Sequence, residues 1–90
     1  MLSFNEHLNE KMQDPEFKKM FQEEKYLLEL GQKISEKRKK LGLTQRELAE
    51  QCEVTQQQLS KIENGVNCNL LTFVRISSTL GLTIKIPKAG

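Results

Sequence analysis

The chain has 90 residues and a formal net charge of +2, with 37% apolar side chains, enough for one small core and an appendage but not for a separate catalytic domain. Charged residues recur every few positions through the first thirty, which excludes a signal peptide or membrane span there and makes a cytoplasmic protein, without a membrane partner, the expectation. The charge is unevenly spread: residues 1–30 carry four Lys against seven Asp or Glu, whereas residues 31–90 carry ten Lys or Arg against five Glu. A basic C-terminal part suits phosphate, and an acidic N-terminal part suits a basic protein or plain water.

Ser3 with Glu6 forms a capping-box pattern that predicts a first helix from Phe4, with Phe4, Leu8 and Met12 recurring every four residues on one face. Asp14-Pro15 restarts the helix, because Asp caps well and Pro is tolerated at the first helical position, where its missing N–H has no partner anyway. Phe17, Met20, Phe21, Leu27, Leu28, Ile34 and Leu41 then keep a helical rhythm up to a stop at Gly42, with Gly31 a point of bending or division.

Three short helices follow. Thr44 with Glu47 opens one through about Cys52, Thr55 opens another to about Glu63 before Asn64-Gly65, and Asn69 caps a third from Leu70 to Leu80. Phe73, Val74, Ile76 and Leu80 are its core candidates, and Gly81 ends it. Leu82, Ile84 and Ile86 alternate with polar residues up to Pro87, as in a β-strand. A lone strand leaves its backbone groups unpaired, so Leu82, Ile84 and Ile86 are expected to pair with their own copies in a homodimer.

The functional motif lies between Thr44 and Asn64. Two short capped helices separated by Glu53-Val54-Thr55, with Leu48, Ala49, Leu59 and Ile62 facing inward, match a helix-turn-helix. Ala49 is small where the two helices approach most closely. Helical spacing then turns Gln56, Gln57, Ser60, Lys61 and Asn64 outward. Gln pairs bidentately with adenine, Lys donates to guanine and Ser serves either way, so Gln56, Gln57, Ser60 and Lys61 are the candidate base readers. Thr44, Gln45, Thr55, Asn64 and Asn67 are candidates for the DNA backbone. A merely solvated polar face accounts for any two of these residues, but poorly for so many amides and hydroxyls directly after a capped helix and turn.

Chemistry of other kinds has little support. Cys52 and Cys68 have neither CxxC spacing nor histidine companions and read as reduced, largely buried thiols, and His7 reads as a surface residue. No nucleophile–base pair or phosphate-cradling glycine loop is present, so neither an enzyme nor a cofactor or metal is expected.

The segment GLTQRELAEQCEVTQQQLSKIENG resembles the helix-turn-helix of the phage lambdoid repressor and Cro superfamily, the XRE family, the similarity covering about residues 28–82. The resemblance implies an all-α, five-helix lambda-repressor-like domain over 28–81, preceded by a helical extension over 1–27 and followed by the strand and tail over 82–90. It implies double-stranded operator DNA as partner, base contacts from Gln56, Gln57 and Lys61, and a phosphate contact from Gln45. It also implies a salt bridge between Arg38 and Glu63. Glu53 departs from the pattern, occupying a turn position where the family usually has Gly, and a side chain at positive φ costs on the order of 1 kcal/mol.

Residues 1–27, acidic and apolar on one face, form a helix, Asp-Pro-Glu-Phe and a second helix leading into the DNA domain, and this order resembles short antitoxins of the HigA type. That resemblance implies a type II toxin–antitoxin module. The partner would be a small basic ribonuclease toxin of the RelE and HigB superfamily, and the chain would repress its own operon. Phe4, Leu8, Met12, Phe17, Met20 and Phe21 would be the apolar anchors on the toxin. Two alternatives stand beside this: these side chains extend the core, or the chain is a free-standing phage-type transcriptional repressor.

Overall fold

The computed structural model describes residues 13–82, which form four helices: α1 (Pro15–Lys40), α2 (Gln45–Cys52), α3 (Gln56–Glu63) and α4 (Leu70–Leu80). Each start follows from a cap. Asp14 accepts the Glu16 N–H at 3.0 Å ahead of Pro15, Thr44 and Glu47 bond reciprocally at 3.1 Å, and Asn69 accepts the Thr72 N–H at 2.8 Å. Thr44 also holds the exposed Glu47 carboxyl below its ordinary value, through its backbone N–H first and its hydroxyl second. Thr55 and Gln58 form a further box at 3.0 Å that sequence reading overlooked, although the Thr-x-x-Gln spacing signals it.

The core draws Ile34 from α1, Leu48, Ala49 and Cys52 from α2, Leu59 and Ile62 from α3, and Ile76 and Leu80 from α4. The four side chains most completely removed from water, Ile34, Leu48, Leu59 and Ile76, come one from each helix. Each contributes roughly 1.5–3 kcal/mol of burial, so every helix is tied to the same centre. Phe73 packs half-buried at its edge, whereas Val74 is exposed: α4 turns Phe73, Ile76 and Leu80 inward, and Val74 falls outside that arc.

Three expectations change. Gly31 does not divide α1, which runs unbroken across residues 27 and 28, where the extension was expected to end. Gly31 instead lies where α1 crosses the end of α3. A Cβ there would strike the Ile62 carbonyl oxygen and sit 2.8 Å from that of Glu63, so glycine is required by close approach rather than by bending. The five helices expected over 28–81 are four there, all of them among the described residues, while the extension's helix expected from Phe4 with Leu8 and Met12 lies outside those residues. Leu82 is not in a strand, because its N–H donates to the Ser77 carbonyl at 2.8 Å and helps to close α4, while Ile84 and Ile86 lie outside the described residues.

Beyond the core α1 continues outward. From Pro15 to Tyr26 every residue is exposed except Phe17, which is half-buried and stacks on Phe21 with ring centroids 6.4 Å apart. These residues extend about 18 Å past the packed half of the helix.

Candidate nucleic-acid interface

The α2–α3 pair is held at a fixed angle by its turn. Glu53 takes the left-handed conformation, φ 60° and ψ 38°, its N–H donating to the Glu50 carbonyl at 3.3 Å and that of Val54 to the Ala49 carbonyl at 3.0 Å. The αL residue and these two bonds end α2 as a Schellman motif does, with Glu in the place that favours glycine. Ala49 is buried between the helices, and Val54 closes the turn against the core.

The reciprocal caps satisfy the third N–H of both α2 and α3 and leave the first two open: Gln45 and Arg46 on one helix, Gln56 and Gln57 on the other. Open N–H groups at a helix N-terminus attract phosphate. The Thr44 and Thr55 hydroxyls accept cap bonds, and that of Thr55 keeps its own hydrogen for donation.

On α3 the candidate base readers separate into two groups. Gln56, Gln57 and Lys61 are exposed, and among the described residues their side chains have no hydrogen-bond or ion-pair partner, so their donors and acceptors remain available. Ser60 is half-buried. Leu59 and Ile62 anchor the opposite face, which fixes the rotation of α3 about its axis.

Of the candidates for backbone contact, Asn64 donates its amide to the Ser60 carbonyl at 2.8 Å and serves first as a cap for α3. Asn67 accepts the Cys68 N–H at 2.8 Å through its carbonyl oxygen, which turns its amide nitrogen away from that bond. Arg46, which sequence reading passed over, stands on the open turn of α2 with an exposed guanidinium held, among the described residues, only by Glu50 at 3.5 Å. Exposed pairs of this kind contribute little, so Arg46 is available to an anion.

The expected Arg38–Glu63 salt bridge is present and ties the three helices together. Arg38 donates from Nε to Glu63 Oε2 at 2.9 Å and from Nη2 to Oε1 at 3.0 Å, both side chains being buried, and a third bond runs from Nη1 to the Leu43 carbonyl at 2.8 Å. Gln45 adds its amide to Glu63 Oε1 at 3.3 Å, which joins the start of α2 to the end of α3. That bond uses one of two N–H donors on the amide and leaves the other for phosphate. Burial pushes the Glu63 carboxyl up, but hydrogen bonds from Arg38 and Gln45, the Arg38 charge and the Ser35 hydroxyl outweigh it and hold the group below its ordinary value. Burial pushes the Cys68 thiol up, against the backbone hydrogen bond from Phe73.

Toxin-anchor candidates are divided by position. Phe17, Met20 and Phe21 all lie on the extended half of α1, Met20 being 60% exposed, while Phe4, Leu8 and Met12 lie outside the described residues. No described helix is long and apolar enough to cross a membrane.

Comparison with known proteins gives one family: a model described as helix-turn-helix matches residues 34–86, more than half of the chain. No curated protein matches it.

Proposed function

Because the chain belongs to the XRE-type helix-turn-helix family and is a DNA-binding transcriptional regulator, we propose that it acts as the antitoxin of a type II toxin–antitoxin module. In this reading it neutralises a small basic ribonuclease of the RelE and HigB kind and represses its own operon. Gln56, Gln57 and Lys61 read bases, with Ser60 beside them, and Thr44, Gln45, Thr55, Asn64 and Asn67 hold the DNA backbone. A homodimer on an inverted repeat sets the half-sites about one turn, ~34 Å, apart or a multiple of it.

The observation that carries the antitoxin reading is the extended half of α1. A helix that only completes a small DNA-binding domain has no need of exposed residues from Pro15 to Tyr26 with Phe17, Met20 and Phe21 on one side. Exposed apolar residues grouped on a helix face are the usual form of a docking element for another protein.

The test is co-expression with the small basic protein encoded next to this chain's gene. Wild type restores growth, and Phe17→Ser/Met20→Ser/Phe21→Ser does not, while operator binding in a mobility-shift assay is retained. Protection by the triple variant removes the extended helix as the toxin site. A neighbouring product that is not toxic leaves a free-standing repressor.

A further inference from the structure

Between α1 and the segment leading from α3 into α4 lies an apolar cleft of ≈ 250 Å³, whose walls include Leu27, Leu30, Val66, Leu70 and Phe73. Leu27 and Asn67 also line the shallower hollow beside Tyr26 and Glu23, so the cleft opens directly onto the extended half of α1. The apolar side chains at its mouth are turned to water: Leu70 is 77% exposed and Val66 50% exposed. Helix formation does not ask for Leu at the first position of α4, since Asn69 supplies the cap.

The charges around this surface have a direction. At 100° per residue, Glu16, Glu23 and Glu24 fall on the side of α1 that carries Met20 and Leu27, with Lys19 at its edge lining the hollow, while Lys18, Lys25 and Glu29 fall on the far side. An apolar floor whose rim carries three carboxylates against one ammonium is complementary to a basic protein that presents an apolar protrusion. A second copy seated on the same face sets these carboxylates against their own counterparts, which disfavours self-association there.

We propose that this cleft is the second half of the toxin-binding surface, receiving one or two apolar side chains of the basic ribonuclease between Leu30, Val66 and Leu70. The carboxylates of the extended helix meet the ribonuclease's basic rim. The inference rests on the antitoxin reading above and adds a seat on the DNA-binding domain itself, so that the toxin bridges the extended helix and the start of α4.

The experiment measures binding of the purified small basic ribonuclease encoded beside this gene to the full-length chain by calorimetry. The variants are Val66→Ser/Leu70→Ser and, as control, Leu41→Ser, which removes a comparably exposed Leu at the opposite end of α1. Circular dichroism and thermal midpoint establish that each variant is folded. The double variant is expected to bind about tenfold more weakly or worse, and the control within about twofold of wild type. Wild-type affinity in the double variant overturns the cleft while leaving the antitoxin reading in place. Failure of the wild-type chain to bind the ribonuclease removes the antitoxin reading and the cleft with it. A homodimer that dissociates in the double variant, with toxin affinity unchanged, makes the cleft an interface between copies and overturns the proposal.

Discussion

The two halves of α1 carry the same pattern and meet different surroundings. In the packed half, Gly31, Ile34 and Arg38 follow one another along a single face and are all buried, each against a different neighbour: the carbonyls of α3, the shared core and Glu63. In the extended half, Met20 continues that face and is 60% exposed, with the half-buried Phe17 and Phe21, 36% exposed, beside it. Periodicity identifies which face of a helix is to be covered. It does not say by what, and in this chain the answer changes within one unbroken helix.

The largest effect is expected in the packed half. Replacing Arg38 by Ala leaves the Glu63 carboxylate buried without its cation, and breaking a pair of this kind costs about 3–5 kcal/mol. Denaturant unfolding measures it, and a loss below about 1 kcal/mol would place the pair among exposed ones. The same pair gives a pH signature. Because the folded state holds Glu63 below its ordinary value, its contribution is complete above the unfolded value and is lost as pH falls through the folded one. In Glu63→Gln that acid-side loss should shrink, which a series of melts across the acidic range checks.

Gly31→Ala comes next. The added methyl group meets carbonyl oxygens of α3 rather than the end of a pliable side chain, so α1 and α3 must separate, at about 1–3 kcal/mol. The displacement also carries Arg38 away from Glu63, so operator affinity should fall along with thermal stability. An unchanged melting temperature would mean that the crossing is looser than the structure has it.

Much of this fold is legible in the sequence. The caps at Asp14, Thr44 and Asn69 work at short range and leave a signature in two to four residues. The turn is legible in the same way, including its departure: Glu53 sits at φ 60°, where the family resemblance places a glycine. Glu53→Gly should therefore raise stability by about 0.5–1 kcal/mol, the relief of the left-handed strain being partly offset by the greater entropy of an unfolded glycine. The Arg38–Glu63 pair follows from resemblance alone, since no local rule links side chains 25 positions apart. Gly31 misleads because a helical glycine looks alike in sequence whether it bends a helix or admits a neighbour. The open cleft at Leu27 and Leu70 leaves no pattern, because it is made where two helices diverge.

The smallest expected effect is the one that tests the comparison most directly. Phe21→Ser changes a side chain in the extended half, 36% exposed, with little change in helix propensity, and it removes the stack on Phe17, worth about 0.2–0.5 kcal/mol. Stability should thus move by less than about 0.5 kcal/mol, against several for Arg38 on the same helix. A destabilisation above about 1 kcal/mol would show that Phe21 is already covered in the free protein, and its dependence on protein concentration would then name the cover. An effect that grows with concentration points to a second copy, and a constant one to another part of the same chain. Only the small effect leaves this face free for a partner, and the antitoxin reading requires a face that is free.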